Sequence, residues 1–146
     1  MREIKFRGLD VMTGDWVYGS HVQTGLGMHY IIPQNLIADA IPQSKVDNTT
    51  VGQFTGLKDK NGREGFIGDI ANYQRIQYTD CSRSEIEEIS PPVIGELYYA
   101  DGIWLGLRKN DGTGIIFMPG MVSGNECNEE LEIIGNIYEN PDLLNS

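Results

Sequence analysis

Four side chains in this sequence are soft enough to hold a transition metal or, in the case of the thiols, to attack an electrophile: His21, His29, Cys81 and Cys127. Structural zinc sites draw their ligands in close pairs, a few residues apart along the chain. These four show no such spacing, so the sequence predicts no metal centre. A nucleophilic cysteine needs a base beside it, and nothing in the spacing places one. Both cysteines therefore read as small hydrophobes, reduced in a cytosolic setting.

The carboxylates offer a second kind of chemistry. Asp59-Lys60-Asn61-Gly62 opens like a calcium loop, yet the bidentate Glu that closes such a loop does not follow at its offset. A hairpin turn is the better reading, because Asn-Gly tolerates positive φ. Gly68-Asp69-Ile70 could begin a ligand loop, but a Gly-Asp pair entering a strand usually makes a turn whose carboxylate accepts nearby backbone amides. An enzyme built on Asp69 would require a deep pocket and a carboxylate of shifted pKa. Two acidic clusters, Glu85, Glu87, Glu88 and Glu126, Glu129, Glu130, Glu132, read as solvated runs. Hydrolytic acids need partly buried surroundings that separate their pKa values. No glycine-rich phosphate loop, nucleophile elbow or two-histidine helix motif is present. The sequence predicts no catalytic residue and no cofactor.

Basic side chains gather at Arg2, Lys5, Arg7 and at Lys58, Lys60, Arg63. With Tyr73, Tyr78, Tyr98 and Tyr99 they could form a nucleic-acid face of cations and stacking rings. The whole chain opposes it: 11 basic against 21 acidic residues give a formal charge of -10, which repels phosphate backbones. Lys58, Asp59, Lys60, Asn61 and Arg63, with Asp69 nearby, are better placed as a protein-interaction loop.

The elements that must position these residues are short strands. Eighteen glycines interspersed with Tyr, Ile, Val and Phe favour tight turns between half-buried pleats. Residues 2–9 and 15–22 flank Asp10-Val11-Met12-Thr13-Gly14 and predict an opening hairpin. Tyr30-Ile31-Ile32 is a candidate strand, while Pro33, Pro42 and the polar run Gln43 to Asn48 suggest a linker, with a domain boundary near residue 45. Beyond it, residues 51–57 lead into the Asn61-Gly62 turn, and strands are expected at 70–78, 93–99, 103–108, 114–118 and 131–138. Residues 79–92, polar and closed by two prolines, read as a surface excursion. Asn140-Pro141 predicts a short helical turn at the end, with a capping side chain followed by proline. Successive short strands in 146 residues must hide their edges, and closure into a small barrel is the expected way. The first residues lack the apolar run of a secretory signal, and no stretch is long enough to span a bilayer as a helix. A cytoplasmic protein is expected.

Four segments carry a family resemblance: Ile4-Lys5-Phe6-Arg7-Gly8; the run from Thr50 to Gly62 (TVGQFTGLKDKNG); Gly68-Asp69-Ile70; and Ile133 to Pro141 (IIGNIYENP). In this order they resemble the YopX family of phage and prophage proteins. Where that family has Glu-Ile-Tyr-Glu-Gly-Asp-Ile, this chain has Glu64-Gly65-Phe66-Ile67-Gly68-Asp69-Ile70, so Ile67 stands in place of an acid. The resemblance implies an SH3-like β-barrel or roll over residues 46–146, with residues 1–45 as an additional hairpin region, and a phage or prophage origin. It implies no activity. The expectation is an all-β, non-enzymatic interaction module, whose partner is a second copy of itself or a host protein. The apolar edge segment Gly114 to Met118 motivates a homo-oligomer. A nucleic-acid-associated protein of phage replication or transcription is the rival.

Overall fold

A computed structural model describes residues 4–33, 43–78, 85–89, 91–100, 104–116 and 129–145. The chain divides into two compact units, Met1–Phe54 and Thr55–Ser146. In the first, β1 (Phe6–Leu9), β2 (Trp16–Gln23), β3 (His29–Ile32) and β4 (Ser44–Val46) form an antiparallel meander. The start of β5 (Gly52–Lys58) lies against β1 through Phe6↔Gln53 and Arg7↔Gly52. Among the described residues, Ile31, Val46 and Phe54 are the buried apolar side chains of this unit. A single 3-10 turn, Asn48–Thr50, leads into β5; Asp47 caps it by accepting the Thr49 amide, and the Thr50 hydroxyl ties it to β1 by accepting the Leu9 amide at 2.9 Å.

In the second unit the remainder of β5 turns back into β6 (Glu64–Phe66). The larger sheet holds β7 (Asp69–Tyr78), β9 (Val93–Ala100), β10 (Trp104–Arg108), β11 (Gly114–Ile116) and β12 (Glu129–Asn136), ordered β11-β10-β9-β7-β12, with β8 (Ile86–Ile89) on the far end of β7. The registers Leu97↔Leu107 and Leu131↔Tyr73 place these side chains in one core with Ala71. Leu97 and Leu107 are fully buried, each worth about 1.5–3 kcal/mol of hydrophobic stabilisation.

Three hairpins share one loop. Residues 24–28, 59–63 and 109–113 each close with the first residue's amide donating to the fifth residue's carbonyl, and the fourth residue's amide donating to the first residue's carbonyl. The fourth residue is glycine each time, with φ of 81–87°. The expected Asn61-Gly62 hairpin therefore forms, but its central pair is Lys60-Asn61 and Gly62 follows in the left-handed region. Asp59 decides this by accepting the amides of both Asn61 and Arg63 on Oδ1 at 2.9 Å.

Three expectations are corrected. The protein is mainly β, but its sheets are antiparallel and open rather than closed into a barrel. The edges are managed otherwise: β4, β6 and β11 are only three residues long, and β12 is partly covered by the 59–63 loop. The polar run expected as a linker contains β4 and a capped turn. The expected excursion at 79–92 includes β8, paired to β7; residues 79–84 and 90 lie outside the described residues. The terminal helical turn is present as a 3-10 turn, Pro141–Asn145. Among the described residues no helix is long and apolar enough to cross a membrane.

Candidate functional site

In the loop expected to recruit a partner, Asp59 is committed to the fold itself. Asp59 is 5% exposed. Its Oδ1 holds the turn, and its Oδ2 accepts the Ile133 amide on β12 at 2.9 Å, 74 residues away. Arg63 Nη1 donates to the Ile133 carbonyl at 3.2 Å, and the Lys60 amide donates to the Leu131 carbonyl at 3.0 Å. One carboxylate thus fastens a hairpin loop along the outer edge of β12. Lys60 Nζ also lies 3.6 Å from Glu132, both half-exposed, a contact of small energetic weight. Lys58 and Asn61 are exposed, and Arg63 keeps its side chain at the surface while donating to β12.

Asp69 is buried at the start of β7, and its Oδ2 accepts the Phe66 amide at 2.8 Å. Gly68 before it has φ of 98°, and a Cβ there would meet the Tyr138 ring at 3.1 Å. The turn therefore needs glycine twice over, for conformation and for space. A matching clasp ends β12: Asn136 Oδ1 accepts the amides of Tyr138 and Glu139, and the Asn140 side chain lies where a Cβ on Gly135 would stand, 2.6 Å from its Oδ1. These carboxylates and amides hold backbone. Cys81, Cys127 and Glu126 lie outside the described residues.

The exposed apolar surface is elsewhere. Among the described residues, seven of the eight exposed large hydrophobic side chains, from Ile4 to Met28, belong to the first unit. Alternation along β2 puts Trp16, Tyr18, Ser20 and Val22 on one face, and the register Val22↔Tyr30 continues it onto β3. Tyr18 is 47% and Val22 41% exposed; the Tyr30 hydroxyl lies 3.4 Å from Met28 Sδ. Arg7 is buried on this same face, directly across from Tyr18, with its guanidinium 4.5 Å from the centre of the Trp16 ring. Stacking of this kind rigidifies an aromatic patch and gives it a cationic floor.

On the opposite face of β2 and β3, His21 Nε2 and His29 Nδ1 are 2.8 Å apart. The registers His21↔Ile31 and Gln23↔His29 make them diagonal neighbours across the hairpin. Burial, and then the neighbouring His29, hold the His21 imidazole below its ordinary range. Sequence spacing did not reveal this pair, because eight residues separate them. The usable signal was the Thr24-Gly25-Leu26-Gly27 turn with a histidine on each arm.

The YopX family model, described as YopX protein, matches residues 5–145. The chain belongs to the YopX family. A search of the curated proteins finds no match. Among solved structures, the chain is similar to the crystal structure of protein EF1440 from Enterococcus faecalis, with 21% identity, 99% of each chain covered and a TM-score of 0.50. At that identity the likeness speaks for the fold alone. The segments through which this chain resembles the family are the ones that build the clasps: Thr50, Asp59, Gly68, Asp69, Gly135, Asn136 and Asn140 each fix a turn, a strand end or an edge.

Proposed function

We propose that this member of the YopX family is a non-enzymatic interaction module of phage or prophage type, acting in the host cytoplasm, that associates with a second copy of itself through the Tyr18–Val22–Tyr30 face of its first unit. The exposure of Tyr18 and Val22 on one face of β2, continued by Tyr30 on β3, carries the reading, since an exposed apolar patch marks a contact surface. Charge supports the choice of occupant. Residues 1–54 carry four basic and five acidic residues, a formal charge of -1, so two copies of this face meet with little repulsion. Asp59 and Asp69, the acids best placed for chemistry, are spent on backbone amides, which supports a module without catalysis. The family resemblance supports an SH3-like roll, left open, for the second unit.

The test is mass in solution at micromolar concentration. Light scattering should give twice the 16.3 kDa chain mass for the wild type, and one chain mass for Tyr18→Glu with Val22→Asp. A wild type that remains one chain at every concentration tested removes self-association. A host protein recovered in stoichiometric amount by gentle crosslinking, and lost with the same two substitutions, would then assign the face to that partner.

A further inference from the structure

The geometry points to a binding site for one late first-row transition-metal ion, of the class of Zn(II), Ni(II) or Cu(II), held by His21 Nε2 and His29 Nδ1 on the hairpin β2–β3. It stands apart from the proposed interaction face, which lies on the other side of the same strands.

The two rings are inclined by only 11° and their centres are 5.0 Å apart, with the facing nitrogens at 2.8 Å. Those distances leave little more than each ring's own radius on either side. The imidazoles are therefore nearly coplanar and point head-on at each other rather than lying face to face. Two in-plane nitrogen lone pairs are aimed at one small volume, where the neutral pair places a single bridging proton. A metal ion is the other occupant that such a volume accepts, because imidazole nitrogen is a preferred donor for this class of ion. Metal–nitrogen bonds of about 2.0–2.1 Å at a tetrahedral angle require the nitrogens to part to about 3.3 Å. The nitrogens must part by about half an ångström and each ring must swing by roughly 35°, because the lone pairs meet nearly in line; rotation about the side-chain torsions of two half-buried residues supplies both.

The backbone and its neighbours hold both rings ready. His21 sits across from Ile31, His29 across from Val46, and the Phe6 ring of β1 lies 5.4 Å from His21 at 44°. The cations nearest in sequence, Arg7 on β1 and Lys45 on β4, alternate to the other face. Among the described residues no third His, Cys, Asp or Glu joins the pair, so water completes the coordination.

Titration of the full chain with zinc chloride, and separately with nickel chloride, in a non-chelating buffer at neutral pH tests this by calorimetry. One ion per chain is expected, with affinity reduced roughly tenfold or more by His21→Gln or by His29→Gln, and reduced again on acidification as protons compete for the same nitrogens. In parallel, nitrogen-15 NMR of the imidazoles in the wild type should show both rings shifting together on zinc addition. Equal binding by wild type and variants, no measurable binding, or shifts confined to other residues would overturn the site. Should a variant fail to fold, the wild-type ring resonances decide the matter alone.

Discussion

Residues 1–54 and residues 55–146 solve the same problem with opposite surfaces. The second unit holds seven basic and sixteen acidic side chains, a formal charge of -9, against -1 for the first. Its core gathers Ala71, Tyr73, Leu97, Leu107 and Leu131, while its loops are locked by carboxylates and amides. Among its described residues, the first unit buries Ile31, Val46 and Phe54 as large apolar side chains and exposes Tyr18, Val22, Leu26 and Met28. A strongly acidic surface discourages association and keeps a domain soluble; a near-neutral surface with exposed rings invites contact. Among the described residues, the larger buried cluster lies in the second unit and most of the exposed apolar side chains in the first.

Substitutions can break this contrast in order of size. Leu97→Ala empties a fully buried position in the second unit and should cost about 2–5 kcal/mol. Urea unfolding would read this as a lower midpoint at unchanged slope. Asp59→Ala strips the acceptor from the amides of Asn61, Arg63 and Ile133 and should cost about 3 kcal/mol. Hydrogen exchange should then rise at Ile133 before it rises in β9, which a purely global effect would not produce. Gly135→Ala forces a methyl against Asn140 and should cost about 1–3 kcal/mol. Pairing it with Asn140→Ala should cost less than the two single changes added together, since each removes part of the other's penalty.

Acidification probes the first unit with a smaller effect. His21 binds its proton less readily when folded than the ordinary value of 6.5, so the unfolded chain takes up protons first as pH falls. Stability attributable to this group is fully present above the unfolded value, and is lost as pH drops below 6.5 toward the lower folded value. His21→Gln should flatten that limb of a stability–pH curve; an unchanged limb would show that burial does not lower the proton affinity of His21. Smallest of all, Tyr18→Glu should leave unfolding within about 0.5 kcal/mol of wild type. Its effect should appear in assembly mass, and a large loss of stability there would erase the distinction between the two units.

Much of the architecture was legible in the sequence because it is local. Period-two alternation marked β1 and β2, the Asn61-Gly62 pair marked the loop at 59–63, and Asn140-Pro141 marked the final turn, since φ preferences and capping act over a few residues. β4 and β8 escaped notice because short polar edge strands lack an apolar signature and exist only by pairing with β3 and β7. The family segments were legible too, but not what they do. Asp59 reads as a turn residue by itself, and becomes a clasp only when β12 brings the Ile133 amide to within 2.9 Å of it. The His21–His29 pair and the stacking of Arg7 on Trp16 likewise depend on strand register, which sequence leaves open and a folded sheet sets. Composition and local pattern determined the strands, the turns and the acidity; tertiary pairing alone decided which carboxylates are spent on structure and which imidazoles face each other, because those contacts join atoms that the chain itself keeps apart.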